Sequence, residues 1–226
     1  MSKRARVSLS LSFVLAPLAA CVASIGDTSC SLNTVYGSGV AATESRSVPD
    51  FSAVEVRGSA DVVARVGGGT SLELVGDDNL LQYVTTEVED GKLVISMQPG
   101  SYDFDVDLVV TLSTPRLESL AVMGSSDSEI SGLSGGDLAL SIAGSGEVRA
   151  RGSVDSLRVS IRGSGDMLLE ELEASAASVS IAGSGDVRLF ARESLDVGIS
   201  GSGDVRYLGK PKVSRSIAGS GNVSRL

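Results

Sequence analysis

The chain of 226 residues contains no histidine and no tryptophan, and only 4% of its residues are aromatic. Without histidine it lacks the side chain that most often acts as a general base or binds a transition metal. Because large aromatic side chains are scarce, an apolar interior has to be built from Val, Leu, Ile and Ala. Layers of such medium-sized residues fill a slim core, as in a narrow coil.

Cysteine is also scarce, and it occurs only near the amino terminus. The chain opens with Lys3, Arg4 and Arg6, followed by the apolar run 7–18, which is too short to stay in a bilayer as a helix. This pattern is typical of a secretory signal peptide, and we predict one over residues 1–20.

The run ends in Leu-Ala-Ala-Cys21, which resembles the lipobox of bacterial lipoproteins, so Cys21 is the candidate lipidation site. The alternative is an ordinary signal cut nearby, with Cys21 and Cys30 as incidental thiols. If Cys21 carries lipid, Cys30 has no thiol left to pair with, so no disulfide within the chain is expected. Val22 in place of Asp resembles the Gram-negative sorting pattern for the outer membrane, so we predict a lipid anchor there.

Charge excludes some partners. The formal net charge is −9 at pH 7, and loss of residues 1–20 removes three positive charges, which gives −12. Binding to nucleic acid needs Lys and Arg to neutralise phosphates, so we expect no nucleic-acid partner. An acidic surface equally disfavours anionic lipid, and membrane contact is expected through the anchor alone.

Six turns rich in Gly and Ser recur along the second half of the chain. Their first glycines lie 20, 19, 20, 18 and 18 residues apart. The motifs are Gly124-Ser-Ser-Asp, Gly144-Ser-Gly-Glu, Gly163-Ser-Gly-Asp, Gly183-Ser-Gly-Asp, Gly201-Ser-Gly-Asp and Gly219-Ser-Gly-Asn. Self-similarity at a period near twenty is the mark of a solenoid.

Strict alternation of apolar residues precedes each turn, as in Leu157, Val159 and Ile161. Period-two alternation predicts half-buried strands, and identical strands at fixed spacing are best satisfied by parallel stacking about 4.8 Å apart. The prediction is an all-β, single-stranded parallel β-helix with 18–20 residues per repeat, right-handed by the chirality rule for parallel connections. An antiparallel sandwich is the alternative, although it has no reason to repeat one turn sequence.

The domain organisation follows from composition. Residues 21–46 are rich in Ser, Thr, Gly and Ala without periodicity, which favours a flexible tether. The β-helix domain is predicted over 47–226, with irregular rungs and a cap over 47–123 and regular repeats over 124–226. In the last repeat Arg215 stands at an inward position, which favours a charged plug on the open end.

Stacking of the turns places their last residues in one column: Asp127, Glu147, Asp166, Asp186, Asp204 and Asn222. Arg149, Arg188 and Arg206 lie two residues after their acids and relieve the repulsion in the column. We interpret this ladder as a structural, solvated face. A ligand face or a calcium site is the alternative, but the calcium-binding repeat has one more residue between glycine and Asp.

One acidic segment breaks the repeat. Paired carboxylates at a defined separation hydrolyse polysaccharides on some β-helices, and such a pair should depart from the repeat. Glu170-Glu171-Leu172-Glu173 does so, although a solvated insertion loop is the simpler interpretation. We identify no catalytic residue, no cofactor and no metal ligand.

Several segments together resemble a known family. They are Asp50-Phe51 through Gly58-Ser-Ala-Asp61, Gly76-Asp-Asp-Asn-Leu80, Val88 through Leu93 and the Gly-Ser-Gly-Asp turns. The combination resembles the bacterial head GIN domain family of putative auto-transporter adhesins, over residues 47–226. The resemblance implies a β-helical envelope protein without catalytic residues.

The sequence therefore predicts a non-catalytic, lipid-anchored protein of the bacterial cell envelope that binds a glycan or a protein, as an adhesin does. A structural, self-assembling envelope scaffold that forms homo-oligomers is the alternative. A polysaccharide-active β-helix enzyme is a third, less favoured possibility.

Overall fold

Short strands joined by glycine corners wind around an aliphatic interior in a computed structural model that describes residues 34–226. The strands are β1 (Thr34–Tyr36), β2 (Ala41–Arg46), β3 (Ala53–Gly58), β4 (Asp61–Val66), β5 (Ser71–Asp77), β6 (Val84–Glu89), β7 (Lys92–Met97), β8 (Ser101–Asp103), β9 (Val109–Thr114), β10 (Ser119–Gly124), β11 (Ser128–Ser134), β12 (Asp137–Gly144), β13 (Glu147–Gly163), β14 (Asp166–Gly183), β15 (Val187–Gly201), β16 (Val205–Leu208), β17 (Lys212–Gly219) and β18 (Val223–Arg225). A single 3₁₀ turn covers Leu81–Tyr83.

The strands form two faces, one before and one after each glycine corner. Face A runs in the order β6, β7, β3, β10 and β12, then the carboxyl-terminal parts of β13, β14 and β15, and ends with β17. Face B runs β2, β5, β9, β4 and β11, then the amino-terminal parts of the same three long strands, and ends with β16 and β18. One strand from each face makes a rung.

Equivalent residues of successive repeats are direct neighbours. On face A, Ile142 pairs with Ile161, Ile161 with Ile181, and Ile181 with Ile199, all in parallel strands. The corner glycines pair in the same register, from Gly124 to Gly219. The predicted all-β parallel solenoid with a repeat of 18–20 residues is therefore confirmed.

The core is a stack of aliphatic side chains, as the scarcity of aromatic residues predicts. Val, Leu, Ile and Ala supply nearly all of its buried residues. On face B the inward column includes Val148, Met167, Val187 and Val205, each buried. Burial of such side chains contributes roughly 25 cal/mol per Å² of apolar surface.

The first rungs do not follow chain order. β3 lies between β7 and β10 on face A, and β4 lies between β9 and β11 on face B. The chain therefore builds the rung of β3 and β4 first. It then returns through the antiparallel strands β5 and β6 to add β7 and β9 on one side of that rung, and crosses over to continue with β10 and β11 on the other side. The irregular sequence over 47–123 reflects this rearrangement.

The tether predicted over residues 21–46 is wrong in its boundary. β1 pairs with β8, and β2 pairs with β5 along its whole length, so residues 34–46 belong largely to the folded unit. β2 carries no apolar alternation because it is an edge strand, held by its backbone and by the side chain of Arg46. The remaining tether, the signal peptide and Cys21 lie outside the described residues.

An arginine bridges the mouth of the coil at each end. At the first end, Nη1 of Arg46 on β2 donates to the carbonyl of Val84 on β6, 2.7 Å away. At the last end, Nη1 of Arg215 on β17 donates to the carbonyl of Val223 on β18, 3.3 Å away. Each guanidinium crosses from one face to the other, so Arg215 does plug the open end.

No helix within residues 34–226 is long and apolar enough to cross a bilayer.

Candidate binding site

Each regular corner needs glycine at two positions, because its backbone lies directly against the backbone of the preceding corner. Gly183 has a φ of +144°, and a Cβ there would lie 2.0 Å from the carbonyl oxygen of Gly163. A Cβ on Gly185 would lie 2.0 Å from the carbonyl oxygen of Gly165. Only glycine fits at either position, because the corners stack with backbone on backbone.

The predicted acidic column forms, and its carboxylates bind backbone. Oδ1 of Asp186 accepts the N–H of Asp204 at 2.9 Å, and Oδ1 of Asp204 accepts the N–H of Asn222 at 3.0 Å. The same contact links Asp166 to Asp186 and Asp127 to Glu147, at 2.8 and 2.9 Å. Each Asp thus gives a backbone amide of the next corner a charged acceptor.

Glu147 interrupts this ladder. The N–H of Asp166 donates to the carbonyl of Gly146 instead, at 3.1 Å, and the Glu147 carboxylate turns to Arg149. Glutamate is one methylene longer than aspartate and does not make the short contact to the next rung. Where this position is Asp and another corner follows, one of its carboxylate oxygens therefore binds the backbone of that next corner.

No group of three or more acidic, His or Cys side chains in residues 34–226 is arranged to hold a metal ion. The ladder carboxylates are stacked singly, one per rung, and each of those described above has an oxygen engaged with an amide. The ladder therefore offers no calcium cage, which needs six to eight oxygen ligands around one point.

The outward side of face B carries a charged row. Its stacked positions are Glu129, Arg149, Leu168, Arg188, Arg206 and Ser224. The prediction that Arg149, Arg188 and Arg206 neutralise their own turn acids holds for two of them. Arg206 lies 3.5 Å from Asp204 and Arg149 contacts Glu147, whereas Arg188 lies 3.8 Å from Glu170.

The outward side of face A is different, because its central row is built from small residues. Ala121, Ser141, Ser160, Ser180, Gly198 and Ser216 stack there in register. Beyond Ala121 the next residue of this row is Glu55, which Lys92 and Arg57 hold at 2.7 and 2.5 Å. The hydrogen bonds from Lys92 and Arg57 lower the pKa of Glu55 although its burial opposes them.

A groove of about 410 Å³ opens on face B where β11, β13 and β14 stack. Half-buried Leu168 and the backbone around Ala150 form its apolar part, and the lining side chains Glu129, Arg149, Arg151, Glu170 and Glu171 carry charge. We call this feature the face B groove. Nη2 of Arg151 lies 2.5 Å from Oε1 of Glu129 and spans one wall of it.

The acidic segment that breaks the repeat forms one side of this groove. Relative to β13, strand β14 holds one extra residue between Leu168 and Leu172, which makes a β-bulge. Leu172 is buried, while Glu170 is half-buried and Glu171 is exposed. The segment is thus a bulge inside a continuous strand, and the interpretation as a loop was wrong in that respect.

The sequence revealed the acidic bulge but not the groove as a whole. Leu168 lies between Arg149 and Arg188 only because the three strands pair in a particular register. Its outward position could be read from the alternation after the third turn. Its two arginine neighbours follow from aligning the repeats on their turns, whereas the positions of Glu170 and Glu171 depend on the bulge that comes after Leu168.

Comparison with known proteins identifies the family. Residues 50–211 match the family described as "Putative auto-transporter adhesin, head GIN domain". The chain belongs to the head GIN domain family. The resemblance seen in the sequence is confirmed, and a comparison with curated proteins found no match.

Solved structures share the solenoid of this head GIN domain. A putative adhesin from Bacteroides fragilis aligns with a TM-score of 0.70 at 22% identity, over 85% of this chain and 100% of that chain. A putative lipid binding protein from Parabacteroides distasonis aligns at 0.57 and 25% identity, over 85% and 99%. A putative adhesin from Parabacteroides merdae aligns at 0.50 and 20% identity, over 85% and 99%.

Two points follow from these likenesses. The aligned region accounts for essentially the whole of each solved chain, so each of those chains consists of the solenoid alone. The family description and two of the three solved chains name adhesins, and none of these names an enzyme. An adhesin-like role at the cell envelope or surface is the function that these names support.

Proposed function

We propose that this head GIN domain is a non-catalytic binding module of the bacterial cell envelope, lipid-anchored through Cys21 at the outer membrane, and that the face B groove holds a glycan or protein ligand. The observation that carries the proposal is the groove itself. It is the place on face B where the regular charged row gives way to an apolar platform and a bulge.

The groove suits a short segment of a larger ligand. Its volume of about 410 Å³ lies within the range of small-ligand clefts, roughly 300–1,000 Å³. Leu168 gives an apolar surface for a sugar ring or a side chain, while Arg149 and Arg151 can donate hydrogen bonds to hydroxyl or carboxylate oxygens. Glu170 and Glu171 accept hydrogen bonds from hydroxyl or amide groups.

Glycan-array and peptide-array binding of residues 34–226 tests the proposal. We expect retention of at least one ligand class, and Arg151→Ala should weaken it about tenfold or more, since it removes charge-assisted hydrogen bonds. Arg158→Ala is the matched control, because Arg158 is an exposed arginine of β13 that lies on face A. Equal binding by both variants, or no binding by folded protein, would contradict the proposal.

The lipid anchor has its own test. We expect metabolic labelling with a fatty-acid analogue to mark the full chain in a Gram-negative host, and Cys21→Ser to abolish the label. Labelling that persists in Cys21→Ser would place the lipid elsewhere, and absence of label in the wild type would remove the anchor from the proposal.

A further inference from the structure

The charge of the molecule changes sign at its carboxyl-terminal end. Residues 34–204 hold 11 Lys or Arg and 27 Asp or Glu, a net charge of −16. Residues 205–226 hold five basic side chains and no Asp or Glu: Arg206, Lys210, Lys212, Arg215 and Arg225. Within the described chain only Arg206 among these forms an ion pair, with Asp204. The last rung is therefore a basic end on an acidic body.

The opposite end is acidic. β6 ends in Glu87 and Glu89, both exposed, and Asp90 follows in the turn. Asp103 lies in β8, and Asp105 and Asp107 follow it; the N–H of Asp105 donates to Asp77 of β5, the strand next to the outermost β2. Lys92 is the one basic residue between positions 84 and 107, and its charge is engaged by Glu55. The two ends thus carry opposite charge.

Among residues 34–226, both ends also present strands that pair on one side only. β6 and β2 are the outermost strands at the acidic end, and β17 and β18 are outermost at the basic end. Seven of the eight residues of β17 are exposed, and Ile217 retains 38% of its accessible surface. A free edge offers unpaired backbone N–H and C=O groups, which pair readily with another strand.

Charge decides which edges can meet. Two copies of β17 placed side by side would bring Lys212 and Arg215 against like charges, and two copies of β6 would do the same with Glu87 and Glu89. Basic β17 against acidic β6 is the pairing that brings opposite charges together.

We propose that copies of this chain associate head to tail, with β17 of one copy beside β6 of the next. Because β6 is antiparallel to β7 and β7 is parallel to the rest of face A, this contact is antiparallel. On face B, β18 runs parallel to β2 of the neighbour, but β2 stands one strand farther out than β6, so the next copy has to tilt toward face A for β17 and β6 to meet. Such a heterologous contact does not close on itself by symmetry and generates a row of molecules. This proposal is independent of the face B groove.

Sedimentation velocity of residues 34–226 tests it. At low ionic strength we expect the mean mass to rise with protein concentration, and 0.5 M salt to restore the monomer because the charges are then screened. Lys210→Glu with Lys212→Glu should be monomeric alone, and so should Glu87→Lys with Glu89→Lys. An equimolar mixture of the two double variants should associate again, since each then offers the other an opposite charge.

Arg158→Glu on face A is the control, and it should associate like the wild type. Melting curves of all variants show that each is folded. A wild type that stays monomeric at low salt, or a mixture of the double variants that fails to associate, would overturn the proposal. A monomer that instead binds a soluble polyanion through Lys210 and Lys212 would also overturn it. Loss of association leaves ligand binding in the groove unchanged, so the two proposals fail separately.

Discussion

Two buried serines, two residues apart, show what single hydroxyl groups do in this narrow core. The Ser126 hydroxyl donates to the carbonyl of Ala60, whereas the Ser128 hydroxyl is buried with no hydrogen-bond partner. Ser128 stands in the inward column of face B between Val62 and Val148. A polar group there is desolvated without compensation, which costs about 1–3 kcal/mol.

Opposite effects are expected from the same substitution at these two serines. Ser128→Ala should raise the free energy of unfolding by about 1 kcal/mol, because it removes the unpaired hydroxyl. Ser126→Ala should lower it by about 1 kcal/mol, because the carbonyl of Ala60 loses its donor. Urea unfolding followed by circular dichroism measures both. A loss of stability in Ser128→Ala would show that its hydroxyl has a partner.

Between the repeats, the Asp ladder links one corner to the next. Asp186→Ala should lower the free energy of unfolding by about 1–2 kcal/mol, because the N–H of Asp204 loses a charged acceptor. Asp186→Asn should cost less, since its amide oxygen can accept the same hydrogen bond.

Glu147→Ala is the matched control for the ladder, because the Glu147 carboxylate does not accept the N–H of the next corner. It loses only an exposed ion pair with Arg149, worth about 0–1 kcal/mol. Equal losses in Asp186→Ala and Glu147→Ala, measured by urea unfolding, would show that the ladder contributes nothing beyond surface charge.

A buried carboxylate ties the first strands to the coil. Oδ1 of Asp77 accepts the N–H of Gly39 at 2.8 Å, and Oδ2 accepts those of Asp105 and Val106, each at 3.0 Å. Burial raises the pKa of Asp77, but the hydrogen bonds from Val106, Gly39 and Asp105 outweigh it and leave the pKa below its usual value. Three segments therefore meet on one ionised side chain.

Lowering the pH should remove the stabilisation that the Asp77 carboxylate provides at this junction. Because the pKa of Asp77 is lower in the folded state, its stabilisation is complete above about pH 4, the usual pKa of Asp, and is lost as pH falls through the folded value. Asp77→Asn should be less stable than the wild type at pH 7, and the difference should shrink below about pH 4. A difference that stays constant from pH 7 to pH 3, in urea unfolding, would contradict this role.

For the whole molecule, the sequence pattern predicted which side of each strand faces the core better than it predicted which strands are neighbours. Alternation at Leu157, Val159 and Ile161 established the inward face and the parallel stack, because equal repeats place equal residues side by side. The same pattern at Val54 and Val56 could not show that β3 lies between β7 and β10, since alternation indicates which side faces in, not which strand is adjacent. The sequence likewise identified Arg215 as a plug but missed Arg46, which lies in a polar stretch without periodicity.

The candidate site was predicted in part for the same reason. The acidic column of turns formed as expected, because it follows directly from the repeat. The binding groove depends on Leu168 and on the bulge at Glu170, where the repeat breaks and register must be known. The charge reversal along the axis was visible in the sequence, but its meaning required knowing that residues 205–226 form one end of the coil and that β6 lies at the other.

The central claim is that successive repeats stack in register, one rung at a time, and spin-label distances test it most directly. Residues 34–226 contain no cysteine, so pairs of labelled cysteines can be introduced without background. From Ser216, labels at Ser180, Ser160, Ser141 and Ala121 should lie about 10, 14, 19 and 24 Å away, one rung of about 4.8 Å per step. A label at Val94 should lie farther still, at about 34 Å, because β7 lies two rungs beyond Ala121. Distances that fail to grow by equal steps, or a Val94 label nearer to Ser216 than the Ala121 label, would contradict the account.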